Sequence, residues 1–307
     1  MTGPLVRVAA LTRRFGALTA VDALELEVAP GELFGIVGPD GAGKTTTLRM
    51  LAGVLPPTSG DALIAGVSVA RDPEGVKPSL AYMAQRFGLY EDLTVRENLD
   101  FYADLYRVPR RDRPARRARL YEFSRLAEFE QRLAGALSGG MKQKLALSCA
   151  LIHQPRLLLL DEPTFGVDPI SRRELWLILH EMVSEGVTII VSTSYLDEAE
   201  RCDRIALLHE GRTLALAAPT RLQQRLEGRL VIVTAQAPRA VRDRLLAHPA
   251  VHQAALFGET IHAALVAGTD PDVLRAVEGV TDVTRGAPSL EDVFIDLVAD
   301  DTGEAAA

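Results

Sequence analysis

Eight residues near the N-terminus carry the clearest chemical signal in the chain. Gly38 to Thr45 fit the pattern G-x-x-x-x-G-K-[ST]. Glycines let backbone N–H groups curl around phosphate oxygens, which a Cβ atom would obstruct. Lys44 adds a positive charge for the β- and γ-phosphates, and the Thr45 hydroxyl can bind Mg²⁺. The residues predicted to bind the nucleotide here are Gly38, Asp40, Gly41, Ala42, Gly43, Lys44, Thr45 and Thr46.

Two adjacent carboxylates follow a run of four leucines, Leu157 to Leu160. Carboxylates at the end of a buried strand are costly unless they have a function. We expect Asp161 to hold Mg²⁺, and Glu162 to orient or deprotonate an attacking water. The alternative is a strand end exposed to solvent, which the phosphate loop elsewhere in the chain disfavours.

The elements around the loop have the order that phosphate binding requires. Leu33 to Val37 is a short apolar run typical of a buried strand, and a helix pattern follows from Thr46 to Gly53. The first amides of such a helix point at the anion held by the loop. Further strands are predicted at 5–11, 24–28 and 187–191, with a hairpin at 205–216.

Capping signals predict where several helices begin. Thr94–Glu97 has the spacing of a capping box and predicts a helix that ends before Pro109. Ser171–Glu174 has the same spacing and predicts a helix closed by Gly186. Ser194–Asp197 also has the pattern of a helix start. Two more helices are predicted at 115–133 and from about 141 to 154.

Charge is unevenly distributed along the chain. Of 34 Lys and Arg and 41 Asp and Glu, residues 1–226 hold 28 of each sign. Residues 227–307 hold 6 basic and 13 acidic groups, which accounts for the whole net charge of −7. We therefore expect two domains, 1–226 and 227–307, and no general affinity for nucleic acid.

The last quarter shows a βαββαβ order, which is the ferredoxin-like arrangement. It carries no cluster of catalytic side chains in the sequence. The predicted strands are 229–235, 251–257, 260–266 and 280–286, the predicted helices are 238–247 and 270–278, and an amphipathic helix follows from about 288.

Composition excludes several other classes of protein. Apolar residues make up 48% of the chain, so a disordered protein is excluded. No stretch approaches the roughly 18 consecutive apolar residues of a membrane span. The first residues lack a signal-peptide pattern, and Cys149 and Cys202 cannot form a disulfide framework, so we expect a reducing cytosolic setting.

Taken in order, these motifs resemble the ATP-binding subunits of ABC transporters over residues 5 to about 220. Leu137 to Met141 resembles the family signature LSGGQ, with methionine in the last place. Two glycines at a helix N-terminus form an anion-binding nest. The resemblance implies that Ser138, Gly139 and Gly140 cap the γ-phosphate held by a second copy. Taken alone, they favour an ordinary helix cap.

Three further residues match the family one at a time. Phe15 resembles the aromatic residue that stacks on adenine, or it is a loop aromatic tucked into the core. Gln85 resembles the glutamine that contacts Mg²⁺ and signals to the membrane partner, although taken alone a solvated side chain is favoured. Asp168 resembles the aspartate that acts across the dimer, or it is a turn residue before Pro169.

One position departs from the family pattern. The family usually has histidine after the 187–191 strand, where it holds the γ-phosphate and orders the catalytic glutamate, and Ser194 stands there in this chain. Considered by itself, Ser194 is a helix N-cap with Asp197 at the third position. Serine is short and cannot be protonated. We therefore expect ATP binding to survive and hydrolysis to be slow.

The resemblance implies an α/β P-loop NTPase core with an antiparallel β subdomain and a helical subdomain at about 88–153, plus the small ferredoxin-like domain. Seven arginines at 107–119 are read as the solvated face of that helical subdomain, with a grip on RNA or anionic lipid as the alternative.

The function we expect is ATP binding and hydrolysis that energises a separate membrane-spanning exporter of the drug-efflux kind through closure of a dimer. The cofactors are ATP and Mg²⁺. The partners are a permease and a second ATP-binding subunit, identical or related, and the chain lies on the cytoplasmic face of the cell membrane. The alternatives are a nucleotide-gated module with weak or no turnover, and a soluble ABC ATPase acting on ribosomes or DNA.

Overall fold

A computed structural model describes the backbone of residues 3–86 and 88–305, and the side chains up to residue 301. The chain forms two compact units. The first comprises Met1–Tyr195 and Cys202–Thr213, and the second comprises Leu196–Arg201 and Leu214–Ala307. The domain boundary expected after residue 226 stays a prediction, which truncation tests.

The strands alternate with helices through most of the chain. The strands are β1 (Val6–Phe15), β2 (Leu18–Val28), β3 (Leu33–Val37), β4 (Ser59–Ile64), β5 (Val67–Ser68), β6 (Leu80–Met83), β7 (Leu157–Asp161), β8 (Thr188–Thr193), β9 (Arg204–His209), β10 (Arg212–Ala217), β11 (Leu230–Ala235), β12 (Val251–Phe257), β13 (Thr260–Leu265) and β14 (Val280–Arg285).

The helices differ widely in length. They are α1 (Lys44–Leu51), α2 (Pro73–Val76), α3 (Val95–Leu105), α4 (Arg113–Ser124), α5 (Gly139–Leu151), α6 (Pro169–Ser184), α7 (Leu196–Ala199), α8 (Pro219–Gln223), α9 (Pro238–Leu246) and α10 (Leu290–Ala305). Within the described residues, every helix is too short or too polar to cross a bilayer.

The central sheet of the first unit brings three functional strand ends to one edge. Within this unit its strands have the order β9-β3-β8-β7-β6, and all neighbouring strands are parallel. All residues of β3, β7 and β8 are buried, as their continuous apolar runs predict. Because these three strands are adjacent and parallel, the residues that follow them, Gly38, Glu162 and Ser194, lie at the same edge.

A second sheet of this unit is antiparallel, with the order β2-β1-β4-β5. The strands predicted at 5–11 and 24–28 are therefore confirmed, and both are longer than predicted. β1 ends at Phe15, which places that aromatic ring at the tip of the β1–β2 hairpin.

The helical part of the first unit contains α3, α4 and α5 around a core of its own. The capping box at Thr94–Glu97 is confirmed, since each residue bonds the backbone of the other. The single helix predicted at 115–133 was wrong. α4 ends at Ser124 because Arg125 has a left-handed backbone (φ 56°), and a short 3₁₀ turn follows.

The start predicted for α6 was also wrong. The helix begins at Pro169, and Asp168 is its N-cap, so Ser171 does not open a capping box. Proline at the first helical position has a backbone angle suited to a helix, and aspartate is among the best N-cap residues. These two preferences outweigh the Ser171–Glu174 spacing.

The arginine-rich segment 107–119 pairs with groups of its own unit. Arg113 lies 2.7 Å from Asp104, Arg117 lies 2.8 Å from Asp100, and Arg116 donates to the Ile152 carbonyl. These local contacts agree with a surface face of the helical part.

The second unit contains a four-stranded antiparallel sheet in the order β12-β13-β11-β14. This order, with α9 between the first two strands, confirms the ferredoxin-like arrangement. The helix predicted at 270–278 is instead a 3₁₀ helix, Pro271–Ala276. α10 confirms the last predicted helix.

Candidate functional site

A cleft of about 500 Å³ gathers most of the predicted binding residues. It lies over the loop between β3 and α1. Its lining residues are Phe15, Leu18, Ala20, Asp40, Gly41, Ala42, Gly43, Lys44, Thr45, Thr46, Gln85, Glu162 and Phe165. Leu18, Ala20 and Phe165 were missed from the sequence, where nothing distinguishes them from other apolar residues.

Two glycines of the loop are required by close backbone approach. A Cβ atom on Gly38 would lie 2.2 Å from the Leu208 carbonyl oxygen, and one on Gly43 would lie 2.4 Å from that of Ala20. Gly43 also has a φ of 101°, which side chains rarely adopt. It precedes α1 and makes no side-chain cap, so the first amides of α1 remain available for an anion.

Lys44 places a buried positive charge at the centre of the loop. Its side chain is 4% exposed, and Nζ donates to the carbonyls of Gly38 (2.8 Å) and Pro39 (3.0 Å) and to Ser194 Oγ (2.8 Å). Nζ also lies 3.2 Å from Glu162 Oε1. The lysine therefore joins the phosphate loop to the carboxylate at the end of β7.

Asp161 is buried, and hydroxyl groups hold both of its oxygens. Thr45 Oγ1 and Ser192 Oγ donate to Oδ1 at 2.9 and 2.8 Å, and the Tyr82 hydroxyl donates to Oδ2 at 3.1 Å. Burial, and then the negative charge of Asp161, raise the pKa of Tyr82 to about 12, so this phenol stays protonated at neutral pH.

Tyr82 and Ser192 were missed from the sequence. Asp161 pairs with Ser192 across the β7–β8 register, and Tyr82 lies on the neighbouring strand β6. A serine inside the otherwise apolar run of β8 was the available signal, because a buried hydroxyl needs a partner.

Glu162 is held from several sides. Its N–H donates to the carbonyl and hydroxyl oxygens of Ser192, Oε1 accepts from Ser194 Oγ at 2.9 Å, and Oε2 accepts from Gln85 Nε2 at 3.1 Å. Its φ of 46° is uncommon for a residue with a side chain. The turn after β7 thus presents the carboxylate to the cleft.

The interpretation of Ser194 as a helix cap was wrong. Its hydroxyl lies between Lys44 and Glu162 and is 3.5 Å from an oxygen of Asp40. It faces this cluster because it directly follows β8, which lies between β3 and β7 in the sheet. At the same turn, Thr193 Oγ1 accepts the Tyr195 N–H at 3.0 Å.

Phe15 lies at the rim of the cleft with 46% of its surface exposed, so the alternative of a ring tucked into the core was wrong. The Arg13 guanidinium lies 4.6 Å from the ring centroid and supports one face. An exposed aromatic ring at the edge of a phosphate-binding cleft can stack on a flat base.

The signature residues and Asp168 do not line the cleft. Ser138 caps α5 by accepting the Met141 N–H at 3.3 Å. Asp168 Oδ1 accepts the amides of Ile170 and Ser171, and hydrogen bonds from Ser171 hold its pKa below the usual value. Ser138, Gly139 and Asp168 are exposed. Within one chain, Ser138 and Asp168 cap their helices, and Gly139 is the first residue of α5.

The fold and the cleft define an ATP-binding cassette of the P-loop NTPase class. The chain belongs to the ATP-binding subunits of ABC transporters. A sequence model of the ABC transporter family matches residues 21–165.

Two relatives and two solved structures support this assignment. The chain is 45% identical over 304 residues to the probable multidrug ABC transporter ATP-binding protein YbhF of Escherichia coli K12, covering 97% of this chain and 53% of YbhF. It is 36% identical to the Nod factor export ATP-binding protein I of Paraburkholderia xenovorans, covering 93% of this chain and 94% of that protein.

Among solved structures, an ATP-binding subunit of an ABC transporter superposes with a TM-score of 0.66 at 31% identity, covering 73% of this chain and 93% of that one. A dimeric ATP-binding cassette in a post-hydrolysis state, bound to ADP and Pi, gives a TM-score of 0.62 at 25% identity, covering 69% and 98%.

Proposed function

We propose that this chain binds and hydrolyses ATP and thereby energises a separate membrane-spanning exporter. The observation that carries this proposal is the cluster of Lys44, Glu162, Gln85 and Ser194 around one phosphate loop. Members of the family couple ATP hydrolysis to transport.

We assign nucleotide binding to the loop and its rim. The loop amides and Lys44 bind the phosphates, because the amides point outward from a glycine-rich turn and Nζ lies at its centre. Phe15 stacks on the adenine. The residues that complete this binding surface are Gly38, Asp40, Gly41, Ala42, Gly43, Thr45 and Thr46.

The oxygen atoms beside the loop fit Mg²⁺, which prefers hydroxyl, carboxylate and carbonyl oxygens. Thr45 Oγ1 and Asp161 Oδ1 lie 2.9 Å apart, and we assign them, with Gln85, to the metal. When bound, Mg²⁺ neutralises charge on the phosphate oxygens. Tyr82 and Ser192 hold the Asp161 carboxylate in place.

We assign the water-orienting role to Glu162. Its carboxylate is held by Gln85 and Ser194 on its two oxygens, so its position is fixed without a histidine. A carboxylate within reach of a water can accept its proton or orient it. Ser194 is a positioning residue, since it acts through Glu162 and Lys44.

A second ATP-binding subunit, identical or related, completes the site. Gly139 and the Ser138 cap stand at the exposed start of α5, and Asp168 stands exposed at the start of α6. A helix N-terminus that faces solvent suits an anion presented by another chain. The dimeric cassette to which this chain is similar supports closure of two subunits over the nucleotide.

The membrane-spanning part is supplied by another chain, a permease. A subunit that hydrolyses cytoplasmic ATP for a permease lies on the cytoplasmic face of the cell membrane. The relatives are named for multidrug transport and for Nod factor export, which are different cargoes, so the chemistry of the exported molecule is left open.

Two measurements test this function. The full chain, tagged and expressed in its own cell, should copurify with a multi-spanning membrane protein. The Glu162→Gln variant should bind ATP as the wild type does and lose turnover, because the amide cannot accept the proton of water. Glu122→Gln, at an exposed residue that does not line the cleft, is the matched control. Recovery with ribosomes and without a membrane protein would refute the transport role.

A second candidate function rests on Ser194. If the hydroxyl cannot replace the usual histidine, ATP acts as a clamp that closes the dimer, with little turnover. ATP-dependent dimerisation combined with hydrolysis no faster than that of Glu162→Gln would favour this candidate.

A further inference from the structure

The last helix of the second unit carries three aspartates on one face. Asp292, Asp296 and Asp300 are spaced by four residues, so their side chains lie in one row along α10. Asp292 and Asp296 are buried, although aspartate is rarely buried without a partner. Each of these aspartates should therefore contact a positively charged or hydrogen-bonding group.

Asp292 is fully satisfied. Its Oδ1 lies 2.7 Å from His262 Nδ1, and its Oδ2 accepts the amide and hydroxyl of Ser289 at 2.9 and 2.6 Å. It forms a capping box with Ser289 at the start of α10 and pairs with a histidine of β13. This end of the row therefore needs no further ligand.

The other two aspartates are oriented by one arginine. Arg225 Nε donates to Asp296 Oδ2 at 2.7 Å, and its terminal nitrogen contacts Asp300 Oδ2. Because the guanidinium holds the Oδ2 atom of each carboxylate, both Oδ1 atoms are left to face other groups.

Those two oxygens converge with a histidine nitrogen. His252 Nε2, from β12, lies 3.0 Å from Asp300 Oδ1 and 3.5 Å from Asp296 Oδ1, and the three atoms lie within 4.8 Å of one another. Asp296 is 1% exposed, and its Oδ1 has no hydrogen-bond partner among the described residues. A buried carboxylate oxygen without a partner costs free energy.

We propose that His252, Asp296 and Asp300 form a binding site for a divalent transition metal of the Zn²⁺ type. Zinc binds histidine nitrogen and carboxylate oxygen at about 2.0–2.2 Å in a tetrahedron, which separates ligand atoms by about 3.3–3.6 Å. The distances of 3.0 and 3.5 Å from His252 Nε2 to the two carboxylate oxygens are close to that spacing, and the two oxygens lie within 4.8 Å of each other.

The net charge of the site and the solvent exposure of its side chains also fit a divalent metal ion. Two carboxylates and one guanidinium leave a net charge of −1 beside His252, so a divalent cation is favoured over water alone. The side chains of His252 and Asp300 are 34% and 38% exposed, which leaves an open side for a water molecule as the fourth ligand. Arg225 is then the residue that orients both carboxylates.

Such a metal would fasten α10 to β12. Asp296 and Asp300 belong to α10, and His252 belongs to the sheet, so one ion joins residues that lie more than 40 positions apart in the sequence. The site is structural in kind, and it is independent of the nucleotide function proposed above.

Zinc titration of the full chain tests the site. Metal-stripped, nucleotide-free protein is titrated with Zn²⁺ by calorimetry, with Mg²⁺ in excess so that the oxygen ligands at Thr45 and Asp161 are not counted. We expect one site per chain, and affinity at least tenfold weaker in His252→Ala and in Asp300→Asn. Exposed His180→Ala, in the other unit, should bind as the wild type does. Co²⁺ should give the visible absorption of a four-coordinate ion only where His252 is present.

Two results would overturn the proposal. One is that the wild-type protein binds no Zn²⁺, or that His252→Ala and Asp300→Asn both bind Zn²⁺ as tightly as the wild type does. The other is a His252→Ala effect confined to the pH dependence of unfolding, since a protonated histidine between two carboxylates is then an ion pair and not a ligand. If His252→Ala fails to fold, Asp300→Asn decides, because this carboxylate is partly exposed near the end of α10.

Discussion

The hydroxyl of Ser194 connects two charged side chains in the cleft, Lys44 and Glu162. Ser194 Oγ accepts from Lys44 Nζ and donates to Glu162 Oε1, and these charges are themselves 3.2 Å apart. Both charged side chains are largely shielded from solvent, at 4% and 14% exposed, so their attraction is weakly screened. The serine therefore preserves the geometry of Glu162 and lacks the charge that a histidine could carry.

Substitutions of Ser194 can separate its role in positioning Glu162 from the effect of the missing histidine charge. Ser194→His should raise the rate of ATP hydrolysis several-fold, because imidazole can donate to the γ-phosphate and can be protonated near neutral pH. Ser194→Ala should lower the rate below wild type, since one oxygen of Glu162 loses its hydroxyl donor. Turnover at saturating Mg-ATP and ATP affinity should be measured together. Ser184→His, on the exposed end of α6, is the control, and no change in Ser194→His would show that another group fills the role.

Lys44 offers a sharper test of the phosphate loop. Lys44→Ala should weaken ATP binding by at least about tenfold, because a hydrogen bond to a charged group contributes about 1.5–3 kcal/mol. The loss is larger if Glu162, left without its cation, repels the phosphates. Equilibrium binding of ATP measures it, and exposed Lys77→Ala is the matched control. Full retention of affinity would refute the assignment of the loop.

The glycines and the lysine of the phosphate loop could be found from the sequence because they lie close together in the chain. Gly38, Gly43 and Lys44 belong to one continuous turn, so their pattern is visible in eight letters. Tyr82 and Ser192 contact Asp161 through strand pairing between residues 31 or 79 positions apart. Only the sheet register reveals such contacts, so the sequence did not predict them.

At the scale of elements, buried strands were easier to predict than helix ends. β3 has the predicted bounds, and β7 and β8 begin and end within two residues of their predicted bounds. A short uninterrupted apolar run bounded by turn residues is typical of a buried strand, which makes its ends easy to predict. Helix ends depend on competition between capping residues a few positions apart. Asp168 prevailed over Ser171 for α6, and the left-handed Arg125 ended α4 early.

The contact between α5 and α6 yields a prediction of its own. A Cβ atom on Gly140 would lie 2.2 and 2.5 Å from Oγ and Cβ of Ser171. Gly140→Ala should therefore destabilise the protein by about 1–3 kcal/mol through overpacking. Urea unfolding of the purified chain measures the change. Ser171→Gly in the same chain should restore part of the loss, and Gly139→Ala, which meets no atom within 4 Å, is the matched control. Equal effects of the two glycine substitutions would contradict the packing argument.

For the whole molecule, the two folds were predicted in different ways. The resemblance to the ATP-binding subunits of ABC transporters predicted the α/β core of the first unit, and the βαββαβ order predicted the ferredoxin-like sheet. The prediction failed in one segment of this domain. An α-helix was predicted at 270–278, and the structure has a 3₁₀ helix there, Pro271–Ala276. The boundary between the two units depends on contacts between residues far apart in the sequence. The distribution of charge along the chain indicates such a boundary only approximately.

Truncation tests where the nucleotide-binding unit ends. The chain cut after residue 227 should bind ATP within about twofold of the full chain, because the cleft and the core beneath β3, β7 and β8 lie in residues 15–193. Loss of binding would place the boundary elsewhere. A second cut after residue 213 follows the division drawn by contacts. If the shorter chain is the more stable in urea and binds ATP equally well, residues 214–226 belong with the C-terminal unit, whose α10 they contact through Arg225.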